Sequence, residues 1–513
     1  MTAVSQLIAI GFCASMTVDF AYAADAKSEL GRLRGCADRR IAEIRKTASI
    51  PVPASAPRYY VSSKSGDDAA DGRTPETAWR TSARLETERI APGSFVLFER
   101  GGLYRGTVVT SAGVTYTAYG KGPKPVIYGS PENGADPAKW TQTENPCVWA
   151  YDIGHEDVGT LVFDEGRQHA IKHVLYTDKE TGKKVSMYTG RPFGSYRDLD
   201  TDLHFWHDYS KDGTGKLYLY SRENPGTRFK SIEFNVRRRG FAVGKAPGVT
   251  IDNFTVKYLG WHGVGALECK DLTVSNCEFG WIGGSIQSEN FRGRGTPVRF
   301  GNAVEIYGGC ENYTVTNCYI YQVYDAGLTQ QIGVRENDMT RHDQRNVRYA
   351  DNVIEKCNYS IEYFLSTKAA PGNPSRIENF VIEDNLMFDA GVGFCEQRPD
   401  CGQAAHIKSW VAQSRNRATG YVVRRNAMCR SNVMLAQIHS SLRNADGSSS
   451  LPVLTDNVFI GHTGQRFGLI SETSRDCETY ANGTQGYVNG FGSGNRCLML
   501  PMRRNTELRR KGN

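Results

Sequence analysis

The sequence predicts an all-β protein whose strands stack as the coils of a solenoid. Three observations carry this. Glycine and aromatic residues are both abundant, with 54 Gly, 26 Tyr and 21 Phe among 513 residues, a composition suited to short strands joined by tight turns. From Arg58 onward, short apolar runs alternate with Gly, Asn and Asp, as in Phe95-Val96-Leu97-Phe98 and Val114-Thr115-Tyr116-Thr117; these read as strands. A strand–Asn–strand unit then recurs through the second half. The balance of 39% hydrophobic and 23% charged residues excludes wholesale disorder, collagen and coiled coil. A formal charge of +7 permits an acidic partner without naming one.

Taken in order, residues 1–23 read as a signal peptide. Leu7 to Ala14 is a short apolar run, and Ala21-Tyr22-Ala23 before Ala24 fits a small-x-small cleavage site. No Lys or Arg precedes the run, and Asp19 follows it. A secreted or periplasmic protein is expected. No other stretch approaches about 18 apolar residues, so no membrane span is expected. Residues 24–57 hold a helix and a linker: Leu30, Leu33, Ala37, Ile41 and Ile44 recur at helical spacing, and the proline-rich run Ser49 to Pro57 stops the helix. An exposed first coil needs a cover, so this helix is expected to cap the N-terminal end of the solenoid.

The solenoid is expected over residues 58–500, followed by a basic tail over 501–513. Its repeat is plainest in Thr273-Val274-Ser275-Asn276-Cys277-Glu278-Phe279, Val347-Arg348-Tyr349-Ala350-Asp351-Asn352-Val353-Ile354 and Val381-Ile382-Glu383-Asp384-Asn385-Leu386-Met387. Marks at Asn253, Cys277, Cys318, Asn352, Asn385, Asn426 and Asn457 follow at spacings of 24, 41, 34, 33, 41 and 31. A constant strand–turn–strand unit with variable insertions is the signature of stacked coils whose loops leave one face. Asparagine tolerates a left-handed turn, and its amide can bond the next coil's asparagine in a ladder. Cys277 and Cys318 at the same mark imply a stacked interior column rather than a disulfide. Residues 137–235 lack the repeat and are rich in aromatics, among them Trp140, Trp149, Phe205, Trp206, Tyr218 and Tyr220. They read as an inserted β-rich subdomain whose rings either form its own core or stack on sugars.

Twelve cysteines remain after the signal. Cys395 with Cys401, or Cys477 with Cys497, could close loops by proximity, and the absence of CxxC argues against zinc. No metal and no organic cofactor are expected. Asp351, Asp384 and Asp456 align, but at the turn. A nucleic-acid partner is not expected, for want of a basic–aromatic module.

Tyr59-Tyr60-Val61-Ser62, Gly66-Asp67-Asp68, Thr74-Pro75-Glu76-Thr77-Ala78-Trp79 and the Gly93 to Phe98 run resemble the opening of bacterial right-handed parallel β-helix proteins of the pectin-lyase-like superfamily. Gly301-Asn302-Ala303-Val304-Glu305-Ile306-Tyr307, Tyr324-Asp325-Ala326-Gly327, Ser360-Ile361-Glu362-Tyr363 and Gln397-Arg398-Pro399-Asp400 resemble its carbohydrate-active members. The resemblance covers about residues 58–475 and implies the fold. It leaves open hydrolase, lyase, epimerase and non-catalytic adhesive spike.

Aligning the strands that follow each Asn turn puts Val304, Leu328, Ile361 and Phe394 inward. Side chains alternate, so Gly265, Glu305, Thr329, Glu362, Cys395 and Ala436 should form an exposed outward column. Glu305 and Glu362 would then lie two coils apart, about 9.6 Å between backbones at ~4.8 Å per strand. Inverting glycosidases hold acid and base roughly 6.5–9.5 Å apart. Glu305 and Glu362 are therefore the expected acid–base pair, with Asp325 as a third carboxylate. Tyr307, Gln331, Phe364 and Gln397, with Trp261, His262, Arg398, Asp400 and His406, are expected around the substrate. Glu311, Glu355 and Glu383 are expected to be surface charge. Arg292, Arg294, Arg299, Arg335, Arg341, Arg345 and Arg348 would give a groove basic walls suited to an acidic polysaccharide. That also suits a lyase, with Lys408 or His406 removing the proton beside a uronate. The expected function is a polysaccharide-degrading enzyme, a glycoside hydrolase, with a lyase or epimerase and a binding solenoid as alternatives.

Overall fold

The computed structural model describes residues 4–154, 157–209, 215–293, 295–332, 341–363, 365, 375–399, 403–409, 417–439, 452–462, 466–470 and 492–501, with side chains from residue 24 onward except at 292, 417, 438–439 and 466–470. Among the described residues, two long sheets of 17 and 11 strands run the length of a right-handed parallel β-helix, and every pairing in both is parallel. The strands stack coil on coil in register. In the 11-stranded sheet, Ile251, Val274, Val315, Tyr349, Ile382, Val423 and Leu454 follow one another as direct partners. All seven side chains are buried in one continuous core. Such columns bury apolar area worth about 25 cal/mol per Å², and alternation leaves the next position of each strand facing out.

The turn between the sheets carries the expected ladder. Asn352, Asn385, Asn426 and Asn457 each donate an Nδ2–H to the Oδ1 of the next asparagine, ending on Asn495, at 2.9–3.0 Å. The pairing register puts Phe254, Cys277 and Cys318 on this ladder, so the first mark belongs at Phe254 and not at Asn253. Asn253 instead starts a second row with Asn276, Asn317, Asp351, Asp384, Arg425 and Asp456, all with positive φ. The left-handed residue is thus the one before the ladder amide. Cys277 and Cys318 are buried, unlinked thiols. Cys401 and Cys477, each half of a suggested disulfide, lie outside the described residues.

Helix α1 (Val4–Lys46) is present, but it lies along the side of the solenoid and not over its first coil. Ala26, Leu33, Ala37, Ile41 and Ile44 pack on Tyr319, Val353, Leu386, Phe388, Ala427 and Ile460, the outer face of successive strands. Ion pairs fix its direction: Arg45 to Glu278 at 2.8 Å, Arg34 to Glu355 at 2.5 Å, and Glu29 to Arg496 at 3.1 Å. From Glu29 to Arg45 a helix advances roughly 24 Å at ~1.5 Å per residue, about five strand spacings. The helix thereby covers an apolar strip that runs across successive coils. Glu355 is accordingly an anchor for the helix rather than surface charge. Glu383 likewise is buried and paired with Arg348, Arg424 and Arg425.

The solenoid is interrupted between Tyr128 and Phe241, yet Thr115–Tyr116 pair directly with Thr250–Ile251, so the coil resumes in place. The inserted subdomain contains a five-stranded and a three-stranded sheet. Its core is built from Trp140, Tyr151, Leu161, Phe163, Phe205, Leu217 and Leu219. Several of the expected sugar-stacking rings are thus internal packing. Strand β1 (Val158–Phe163) docks the subdomain on the solenoid. Docking is close because Gly159 has no side chain: a Cβ there would lie 2.6 Å from Gly283 O.

The strands that carry the polar column are β2 (Val264–Leu267), β3 (Val304–Tyr307), β4 (Tyr319–Gln331), β5 (Val353–Tyr363), β6 (Ala405–Ser409) and β7 (Met434–His439).

Candidate active site

Strand pairing brings Gly265, Glu305, Thr329, Glu362, Lys408 and Gln437 into one column. The expectation holds through Glu362 and then slips by a segment. Phe394 and Cys395 sit in a short 3₁₀ turn inserted between coils, and Ala436 takes the inward position beside Ile407. The asparagine spacing could not reveal that turn, because it inserts between two strands without disturbing the ladder. Glu305 and Glu362 do share a face two strands apart, with Thr329 between them.

The column is not an open groove. Glu305 is 9% exposed, Glu362 3% and Lys408 0%. Arg398, from the loop after the 3₁₀ turn, pairs with Asp325 nearby. Its guanidinium lies 5.6–5.8 Å from the rings of Phe300, Tyr324 and Tyr359 and 2.5 Å from Asp325 Oδ1. A charged group placed here is therefore shielded from water, where electrostatic effects are large.

Glu305 is a strongly perturbed carboxyl. Burial pushes its pKa up to about 7, and the nearby charge of Asp325 adds to the rise, against the opposing Asn302 hydrogen bond and Arg239. Asn302 is pinned, since its Oδ1 accepts from the Ala326 N–H at 2.9 Å, which turns its Nδ2–H onto Glu305 Oε2. His262 Nδ1 accepts the Asn302 backbone N–H at 3.1 Å, which assigns the ring proton to Nε2. That same Nδ1 lies 3.2 Å from Glu305 Oε2. Burial, with Arg239 nearby, holds the His262 pKa well below its ordinary value, so the ring beside Glu305 is neutral and offers its carboxylate no counter-charge. Desolvation favours the acid form of Glu305.

The other expected residues fall around this centre. Gly265 leaves room for Arg239, whose Nε would lie 2.7 Å from a Cβ at that position. Arg239 in turn covers the Trp261 ring at 3.7 Å. Tyr307 and Gln331 are partners at the ends of β3 and β4, and Gln331 Nε2 donates to Glu362 Oε2 at 2.9 Å. Two residues are committed elsewhere. Gln397 bonds the Lys172 N–H and the Ala170 carbonyl of the subdomain, each at 3.0 Å, so it is a docking clamp. His406 is buried, with Nδ1 3.0 Å from Ser360 Oγ and Nε2 2.9 Å from the Arg430 carbonyl; burial lowers its pKa to about 4. Asp400 and Phe364 lie outside the described residues. Sequence reading missed Asn302, Arg239 and the column position of Lys408. The Gly301-Asn302-Ala303-Val304-Glu305 run held the signal for Asn302, three residues before the acid. Among the described residues, no group of three His, Cys, Asp or Glu gathers as a metal site.

No protein-family model matches the chain, and no similar sequence is found among curated proteins. Similar solved structures share the β-helix. The complex of XylC with xylose is 13% identical at a TM-score of 0.48, over 88% of this chain and 76% of that one. A structure described as a glycoside hydrolase is 11% identical at 0.43, over 88% and 98%. The family 28 exopolygalacturonase of Yersinia enterocolitica is 13% identical at 0.40, over 82% and 69%. At these identities the likeness is one of fold: the chain is similar in architecture to parallel β-helix proteins.

Proposed function

We propose that this protein degrades a polysaccharide, as a glycoside hydrolase whose general acid is Glu305. The observation that carries the reading is the opposed setting of neighbouring carboxyls. Glu305 keeps its proton to about pH 7, whereas Asp325 is held 2.5 Å from a guanidinium. Titratable pairs driven apart by their surroundings mark acid and base roles. Glu362, two strands from Glu305, is the base that activates water across a gap of roughly the inverting separation. Asp325 lends charge that strengthens in the transition state, and Thr329 and Gln331 orient hydroxyls. Trp261, His262 and Tyr307 belong to the substrate surface. Export from the cell belongs to the same reading.

A lyase is the second reading, and one observation favours it: Lys408 lies directly beside Glu362 in the column. In its neutral amine form the Lys408 side chain could remove the proton next to a uronate carboxyl. His406 is a poor base, because both ring nitrogens are engaged. The test is a panel of acidic and neutral polysaccharides followed for new reducing ends and for the ultraviolet absorbance of an unsaturated uronate. Reducing ends without that absorbance support hydrolysis. Absorbance identifies elimination, and neither product on any member of the panel supports a binding solenoid.

A further inference from the structure

A cavity of about 330 Å³ lies between the inserted subdomain and the solenoid, walled by Lys172, Tyr188, Arg299, Phe300, Tyr324 and Arg398. The volume is at the small end of ligand sites, which run roughly 300–1,000 Å³. Arg398 belongs both to this wall and to the ion pair with Asp325, whose charge acts on Glu305, so the cavity adjoins the surroundings of that carboxyl.

Its charges are unequal. Lys172 Nζ is neutralised by Asp157, at 2.5 and 2.6 Å, and Arg398 by Asp325. Arg299 is buried as deeply, yet the partners of its guanidinium are two backbone carbonyls, Gly284 O at 2.5 Å and Gly159 O at 2.9 Å, with the Tyr324 ring at 4.4 Å. Among the described residues no carboxylate lies within ion-pair distance of it. The carboxylate that acts on it from further off is Asp157, whose two oxygens are taken by Lys172; a buried cation without a carboxylate at contact distance is costly, and an anion arriving in the cavity would relieve that cost. Guanidinium geometry suits a carboxylate. Phe300, Tyr324 and Tyr188 supply ring faces of the kind that stack on a sugar.

We propose that this cavity is a subsite for a carboxylate-bearing sugar residue, a uronate, with Arg299 as its anion-recognising group. The inference rests on the reading of the chain as carbohydrate-active and adds the substrate class: an acidic polysaccharide with one acidic residue seated beside the cleavage point. The subdomain contributes one wall, which gives the insertion a role in specificity.

The experiment compares binding of D-glucuronate and D-galacturonate with glucose and galactose by saturation-transfer NMR and calorimetry, using Glu305→Gln in the full chain. Uronates should bind at least tenfold more tightly than the neutral sugars. Arg299 also ties two backbone segments together, so Arg299→Met risks misfolding. Met187→Glu, another wall position, leaves Arg299 in place and puts a like charge in the cavity. It should abolish uronate binding at least tenfold while leaving the melting temperature near that of the parent. Equal binding of acidic and neutral sugars, no binding of either, or uronate binding unaffected in a folded Met187→Glu protein would overturn the subsite. These outcomes are separable from the hydrolase reading: cleavage of a neutral polysaccharide with no uronate preference sinks only the subsite. Uronate binding without bond cleavage on any polysaccharide sinks only the hydrolase.

Discussion

Glu305 and Glu362 face the same way from β3 and β5, each paired across the sheet with Thr329 of β4. Parallel stacking sets their separation, since each coil adds one strand spacing of ~4.8 Å. If they are acid and base for one bond, Glu305→Gln and Glu362→Gln each lower turnover by about 10²–10⁴-fold. The double change then costs much less than the product of the two. Glu311→Gln is the matched control, because Glu311 pairs with Lys270 on an exposed rung. Glu383 would be a poor control, being the hub of three arginines. Wild-type turnover in both single variants, on a substrate the parent degrades, removes the pair from the mechanism.

The pH dependence follows from the raised Glu305 pKa. The acid form is lost through about pH 7, so kcat/KM should fall on that limb, and Glu305→Gln should lack it. The sign for stability is the same. Folding raises this pKa from the ordinary 4.5, so its stabilising contribution is complete below about 4.5 and lost as pH rises to about 7. Urea titrations should show the wild type weakening relative to Glu305→Gln over that window, with a constant difference above it. A parallel pH profile for the two proteins contradicts the assignment.

Breaking the Arg398–Asp325 pair should destabilise strongly. Both side chains are buried, and removing one partner of such a pair costs about 3–5 kcal/mol. Arg398→Met and Asp325→Asn should each lower the melting temperature, and the double variant should recover part of the loss. Strict additivity of the two effects would mean that the ion pair is not energetically coupled.

Helix α1 should behave as a strap. Ile44 is fully buried against the outer strip, and Ile44→Ala should cost about 2–5 kcal/mol. Deleting residues 24–50 bares Tyr319, Val353, Leu386 and Phe388 together and should cause aggregation. Unchanged melting and solubility after the deletion would show that the strip needs no cover.

The sequence by itself determined the solenoid, because its cause is local and repeated. Alternating apolar residues and an amide every coil are legible at Asn352, Asn385, Asn426 and Asn457, and stacking follows from nothing more than their recurrence. It also placed Glu305 and Glu362 on one face, since alternation within a strand is a property of the backbone. Three matters were decided only by tertiary structure. The apolar stripe of α1 is plain in Leu33, Ala37, Ile41 and Ile44, but a stripe does not say which surface it meets, and the outer strip won over the coil end. The column's continuation to Lys408 depended on a 3₁₀ turn at Phe394–Gln397, whose residues pattern like a strand. The ion pair between Arg398 and Asp325 depended on segments distant in the chain coming together. Glu305 could be read as a carboxylate in the right row; that it holds a proton to about pH 7 comes from low dielectric and converging neighbours, which no local pattern encodes.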